Sequence, residues 1–466
     1  MENVLVIMSD EHQQRALGCA GHPLVETPNL DALAAGGTRF TNCWTPSPIC
    51  VPARASIATG QWVHQIGAWD SAQAYAGYPN GWTHAMARAG HDVASFGKLH
   101  HRSAGDDDGF TERHRPMFIA GGVGWLQGLL RRDPIPYDEA RELADDVGIG
   151  ETSYTRYDRR VTEDACTWLN SQDRSKKPWA AFVSFVAPHY PLSAPEDFMS
   201  KYPLADVPPA EIPHVEHRHP AVAAMRDFFS YDDFFDAEST VRARAAYFGL
   251  CSFLDANVGR VLAALDASGQ RANTRIIYTS DHGEMLGNRG LWCKSFMFED
   301  SVAVPMIISG PGVPAGRTVD ANVNLVDVAP TIVETVGVDL GGPGQSLWHQ
   351  VKHPDSRRVG FSEYHDGGSI TGSFAIRSDE WKYIHHEGHR PELYNVDVDP
   401  NELDDLHGVS SVAEVEAKCA AILDDLVDTK AANAAAFASQ DQLIEQYGGR
   451  DGVAKAFRFN HTPSPE

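Results

Sequence analysis

Residues 50–60 read Cys-Val-Pro-Ala-Arg-Ala-Ser-Ile-Ala-Thr-Gly, placing a thiol, a proline, an arginine and a closing glycine at the spacing Cys-x-Pro-x-Arg-x-x-x-x-Thr-Gly. Pro52 suits the first turn of a helix, where a missing N–H costs nothing. Cys50 then stands at the positive mouth of that helix, and Arg54, four residues on, lies on the same face. A nucleophile beside a fixed cation at a helix N-terminus is a site for attack on an anionic ester. Taken singly, a cysteine is a small buried hydrophobe and an arginine a solvated charge. The run as a whole is what points to chemistry.

Four more polar residues share a placement. Asp10, Lys98, His189 and Asp281 each follow an apolar run: Val4 to Met8, His91 to Phe96, Trp179 to Val186 and Ile276 to Tyr278. These runs, and a fifth over Met306 to Ile308, read as buried parallel strands alternating with helical stretches. Ligands of open α/β sheets bind outside the carboxyl ends of the strands. Four segments therefore deliver polar groups to one rim, which the Cys50 helix completes. An amphipathic helix is expected over 238–268, with Val241, Ala245, Phe248, Leu254, Val258 and Leu265 among its apolar positions and Gly269 as its stop.

The pattern predicts an α/β fold: a large domain over residues 1–355 with a central, mostly parallel sheet flanked by helices. After residue 356 short alternating runs (Gly360 to Tyr364, Ser373 to Arg377, Trp381 to Ile384, Glu392 to Asn395) predict a smaller α+β subdomain over 356–447, with an antiparallel sheet and a packing helix over 412–426. Residues 448–466 carry Gly, Pro and Ser and read as a tail or arm.

The 466 residues are 42% hydrophobic and 22% charged, an ordinary globular composition. No window is expected to reach the roughly 20 apolar residues of a membrane span. Residues 1–8 lack a basic leader and a small-residue cleavage site, so a cytoplasmic protein is expected. Seven cysteines at irregular spacings, at 19, 43, 50, 166, 251, 293 and 419, point to free thiols. A net charge of −24 repels nucleic acid and polyanionic glycans, and favours a small substrate drawn to a local basic pocket.

The 50–60 run resembles the activation motif of type I sulfatases, members of the alkaline phosphatase-like superfamily, in which the cysteine is oxidised to formylglycine. The resemblance extends along most of the chain. Asp10 follows the first strand, as the family's first metal carboxylate does. Thr27-Pro28-Asn29-Leu30-Asp31 opens a helix, and Gly97-Lys98-Leu99-His100 is similar to the family's Gly-Lys-x-His. Pro188-His189 resembles its later active-site histidine, Thr279-Ser280-Asp281-His282-Gly283 its second metal motif, and Lys294 the lysine that follows. Glu392-Leu393-Tyr394-Asn395 resembles its C-terminal Glu-Leu-Tyr-Asp stretch. Gly287 to Trp292 looks most like choline sulfatases and phosphonate monoester hydrolases.

The resemblance implies one divalent cation held by Asp10, Asp281, His282 and the oxidised Cys50, with Glu11 as a further candidate. Many relatives carry Asp-Asp where this chain has Asp10-Glu11, and Asn where it has His282. Ca²⁺ is the first expectation, with Mn²⁺ or Mg²⁺ as alternatives, because an imidazole ligand shifts preference toward borderline metals. The implied mechanism hydrates the aldehyde at residue 50 and sends one hydroxyl to the sulfur. Arg54, Lys98 and Lys294 balance charge on the sulfuryl oxygens. His189, with Lys294, protonates the leaving alcohol, and His100 takes the remaining hydroxyl proton. Trp125 reads either as a substrate wall or as a core residue. The expected activity is hydrolysis of a small sulfate ester; a phosphonate monoester or phosphodiester is the alternative, since both are singly charged tetrahedral anions. A non-catalytic metal-binding relative is the third reading, should Cys50 stay a thiol. Expected partners are the small ester, a formylglycine-generating enzyme and further copies of the chain, with no nucleic acid and no membrane.

Overall fold

The apolar runs become strands because β-branched and aromatic residues fill a sheet covered on both faces. The computed structural model describes residues 2–137, 139–171, 177–213, 219–458 and 461–465. In chain order the main sheet is built from β1 (Asn3–Asp10), β2 (Thr38–Phe40), β3 (Asp92–Lys98), β4 (Glu112–Met117), β5 (Trp179–Pro188), β6 (Thr274–Ser280), β7 (Met306–Ser309) and β8 (Arg317–Val319). Their spatial order is β8-β2-β7-β6-β1-β5-β3-β4. β1 lies centrally with all eight residues buried, parallel to β5 on one side and β6 on the other.

The Met306 run departs from expectation: β7 is antiparallel to both neighbours, β6 and β2. A parallel neighbour is usually reached through a crossover helix laid on the sheet, whereas residues 281–305 form loops, a 3-10 turn at Asn288–Gly290 and one four-residue helix, Glu299–Val302. The mostly parallel character of the sheet otherwise stands.

Three helices matter for the site and its support: α1 (Cys50–Thr59), α2 (Ser153–Leu169) and α3 (Ala237–Ala267). All ten residues of α1 are buried, and Gly60 ends it at φ 73°. α3 starts at an Asp236 cap that accepts the Ser239 N–H. It is less amphipathic than the spacing implies, for residues 243–255 are buried all round between α2 and β5. Contrary to the sequence reading, its apolar stretch is long and apolar enough to cross a bilayer by length and composition, yet 78% of it lies inside the protein.

The C-terminal strands β9 (Gly360–Tyr364), β10 (Ser373–Ser378), β11 (Trp381–His386) and β12 (Glu392–Asn395) form an antiparallel meander in that order. α4 (Ala413–Leu426) fits the predicted packing helix. A second helix, α5 (Thr429–Gln446), escaped the periodicity because its buried stripe is Thr429, Ala432, Ala436 and Gln440 rather than large apolar residues. All seven cysteines are free.

Two charged clusters lock this sheet to the main body. Lys382, wholly buried, reaches Glu299 at 3.1 Å and Glu402 at 2.7 Å. Removing one partner of a buried pair leaves an uncompensated charge, so Lys382→Ala is expected to cost about 3–5 kcal/mol in denaturant unfolding. Glu363 accepts from the His64 N–H at 3.0 Å and pairs with the His64 and His365 rings at 2.8 and 3.0 Å. Burial pushes its carboxyl up, but these bonds outweigh burial and bring it to about 2. The depressed acid contributes about 3 kcal/mol above the unfolded value near 4.5, lost as pH falls toward 2. Glu363→Gln should therefore lower stability most at neutral pH, the gap narrowing below pH 4.5 in urea titrations.

Candidate active site

The expected rim forms. β1 ends on Asp10, β3 on Lys98, β5 just before His189, and β6 just before Asp281 and His282. Lys98 gets there through a bulge: the β3–β4 register shifts between Phe96 and Lys98, and Gly97 between them sits at φ 93°. A side chain on Gly97 would collide with the Ser184 carbonyl oxygen, so only glycine fits. Asp158 of α2 fixes the end of β5 by accepting the Val186 and Ala187 N–H groups at 2.9 and 2.8 Å.

Cys50, the first residue of α1, points at this rim. Its Sγ lies 3.2 Å from His282 Nε2 and 3.6 Å from Asp10 Oδ1. His282 Nε2 is 3.8 Å from Asp10 Oδ1 and 3.7 Å from Asp281 Oδ1. The other ring nitrogen, Nδ1, donates to the Gly283 carbonyl at 3.0 Å, which leaves the Nε2 lone pair facing inward.

The two carboxylates are divided by function. Their outer oxygens are taken: Arg54 Nη2 donates to Asp10 Oδ2 at 2.8 Å and Nε to Asp281 Oδ2 at 2.7 Å, while Lys98 Nζ sits 2.6 Å from Asp10 Oδ2. No cation of the chain reaches the inner oxygens, among the described residues. Asp10, Cys50, Asp281 and His282 each offer one ligand atom, all within 4.8 Å of one another. Two inward carboxylate oxygens, an imidazole with a fixed lone pair and the residue-50 atom suit one divalent cation.

Glu11 stands to one side. Its Oε2 accepts from Lys294 Nζ at 3.0 Å, and its Oε1 is buried without a partner. It is outside the four-residue group, although it clusters with Asp10 and His189, and separately with Glu284 and Cys293. Burial pushes Glu11 up to about 8, with Lys294 opposing. Lys294 also donates to His189 Nε2 at 2.8 Å, and His189 Nδ1 in turn donates to the Tyr190 carbonyl at 2.7 Å. Glu284 Oε1, accepting the Leu286 and Cys293 N–H groups at 2.9 and 2.7 Å, pins the turn that carries Lys294.

Electrostatics separate the groups into roles. Burial opposes ionisation of Asp10, yet the nearby cations, Lys98 first and then Arg54, hold it well below the usual carboxylate range. Burial and then Lys294 keep His189 neutral, and burial and then Lys98 do the same for His100. His100, at φ 52°, has both ring nitrogens buried without partners. Burial and Asp10 push the Cys50 thiol up to about 12, so an unmodified cysteine holds its proton at neutral pH.

Cys50, Lys98, His100, His189 and Lys294 line one cavity, together with Trp125. Its remaining wall was not legible beforehand: Tyr137, Tyr154, Tyr190, Phe229, Tyr231, and His461 from the chain's far end. Tyr190 at least had a signal, adjoining His189, on which it stacks at 4.1 Å.

Comparison with known proteins agrees with this geometry. The sulfatase family profile matches residues 2–338, and that of the N-sulphoglucosamine sulphohydrolase C-terminal region matches residues 287–429. The chain is 31% identical over 420 residues to a choline-sulfatase of Rhizobium meliloti (strain 1021), covering 87% of this chain and 82% of that one. It is 29% identical over 434 residues to arylsulfatase K of Danio rerio, covering 86% and 79%. Among solved structures, the phosphonate monoester hydrolase of Agrobacterium radiobacter superposes with a TM-score of 0.75 at 26% identity, over 91% of this chain and 95% of that one.

Proposed function

The chain belongs to the sulfatase family and is a sulfuric ester hydrolase, and from that premise we propose that it cleaves a small sulfate monoester with an oxygen nucleophile made from Cys50. The observation that carries this reading is the position of Sγ, at the convergence of Asp10 Oδ1 and His282 Nε2, on a thiol that burial and Asp10 push up to about 12. A protonated thiol in that place is a poor nucleophile. Oxidation to formylglycine by a generating enzyme replaces it with an aldehyde, whose hydrate offers one hydroxyl for attack and a second for release of sulfate.

Asp10, Asp281, His282 and the residue-50 oxygen would hold one divalent cation, Ca²⁺ first and Mn²⁺ or Mg²⁺ as alternatives. Bound there, a cation stabilises the anionic form of the attacking oxygen. The chain's own groups do the rest. Lys98, on the Asp10 side, and Lys294, across the cavity, bracket the position of the sulfuryl oxygens. Neutral His189 accepts from Lys294, so the pair holds one proton between Nζ and Nε2, available to the departing alcohol. Neutral, unpartnered His100 is the base for the second hydroxyl.

The relative from R. meliloti makes choline sulfate one natural first substrate to assay. A second reading, hydrolysis of a phosphonate monoester, draws on the likeness to the A. radiobacter enzyme and on the equal charge and shape of the two anions. Peptide mass spectrometry of working protein tests the nucleophile: conversion replaces sulfur by oxygen and removes two hydrogens at residue 50. An unshifted peptide from fully active enzyme overturns the proposal. Rates on matched aryl sulfate and aryl phosphonate then decide between the substrates.

A further inference from the structure

Trp125, on the wall of the catalytic cavity, is held in place from behind. Its indole packs on two glycines, Gly128 and Gly367, at each of which an added side chain would collide with the ring. Its backbone N–H donates to the Ser71 carbonyl at 3.3 Å, and Ser71 lines the cavity beside it. Gly124, at φ 59°, brings the chain so close to that carbonyl oxygen that no larger residue fits.

One residue governs both supports. Asp366, two positions past β9, is wholly buried. Its Oδ2 accepts the Ser71 N–H at 2.8 Å and the Ser71 hydroxyl at 2.6 Å. Its Oδ1 accepts the Gly367 N–H at 2.7 Å. One carboxylate oxygen thus holds the residue to which the Trp125 backbone is bonded, and the other holds the glycine that backs the ring. Two further bonds stiffen the frame. The Tyr364 hydroxyl donates to the Gly367 carbonyl at 2.8 Å, and Gln440 of α5 donates to Asp70, the residue before Ser71, at 2.9 Å. All of these anchors come from the C-terminal meander and its helices, while the wall they set faces Cys50.

Resting on the sulfatase reading of this site, we propose that Asp366 is a positioning residue for substrate binding: through Ser71 and Gly367 it sets Trp125 as the wall against which the leaving group rests. The C-terminal sheet is then part of the substrate-binding apparatus and not only a cover for the main one.

Asp366→Asn tests this, because it keeps the shape but turns an amide NH₂ toward either the Ser71 or the Gly367 donors. KM for phenyl sulfate should rise about tenfold with kcat within about threefold, the scale of a lost bond to a charged acceptor. Placed in a Trp125→Ala background, the same substitution should change KM no further, since the residue it acts through is gone. Calorimetry on Cys50→Ala supplies a reading that a merely structural role would not give. Phenyl sulfate should bind about tenfold more weakly after Asp366→Asn, while inorganic sulfate, which carries no leaving group, should bind as before. Should Asp366→Asn fail to fold, Ser71→Ala removes the hydroxyl bond alone and should weaken phenyl sulfate by about threefold, again sparing inorganic sulfate. A fall in kcat at unchanged KM, equal weakening of both ligands, or a full effect without Trp125 overturns the proposal. Selective weakening of phenyl sulfate with no hydrolysis by the native chain would fault the sulfatase mechanism and spare the wall; turnover with both ligands affected alike would do the reverse.

Discussion

Cys50→Ala is expected to remove at least about four orders of magnitude of turnover on any sulfate ester, the scale on which loss of a nucleophile registers in other covalent hydrolases. The fold should survive, because a small side chain at the first position of α1 gives way to a better helix former and leaves no charged group unpaired. Unfolding midpoints of the two proteins should therefore agree while their rates do not. Cys50→Ser separates the two chemical steps. Its hydroxyl can attack sulfur and release the alcohol, but it has no second hydroxyl with which to expel sulfate. The expected result is at most one equivalent of alcohol per chain, with the sulfate retained on the serine introduced at position 50 and found there by peptide mass spectrometry. Sustained turnover by either variant would refute an attacking group at residue 50.

The rim was legible because its signals are local. A short apolar run ending in Asp, Lys or His marks both a buried strand and its carboxyl end, and the sheet brings such ends together whatever the helices do. The C-terminal meander was legible for the same reason, with alternation and turn residues in each strand. What escaped depends on contacts far apart in sequence. Direction of the Met306 strand is set by a connection from β6 that forms no crossover helix, not by its own residues. Glu11 donates its backbone N–H to Asp281 Oδ1 and turns its side chain to Lys294, and nothing local to Asp10-Glu11 encodes that. The aromatic chamber draws on several separate stretches of chain, and His461 enters it from far beyond Cys50 in sequence. Spacing alone does not announce a wall of that kind.

Arg54 changes meaning once its donors are traced. The sequence places it against the sulfuryl oxygens, yet its N–H groups are spent inside the protein: on Asp10, on Asp281, on the Lys98 carbonyl at 2.7 Å and on Ser184 Oγ at 3.0 Å. With most of an arginine's fork of donors so committed, Arg54 is a positioning residue that aims the inner carboxylate oxygens. Arg54→Ala should lower kcat by about two to three orders of magnitude, comparable to losing an oriented charge donor. It should also destabilise the metal-free chain by about 3–5 kcal/mol, because two buried carboxylates lose their shared partner. Saturating divalent cation should recover part of the stability by neutralising both acids, without restoring kcat, since their orientation stays lost. Arg54→Lys should behave like the alanine variant in kcat, for an ammonium cannot span Asp10 and Asp281 at once. Unfolding with and without cation, set beside steady-state rates, reads these effects separately; native turnover in Arg54→Ala would mean that the carboxylates need no aiming.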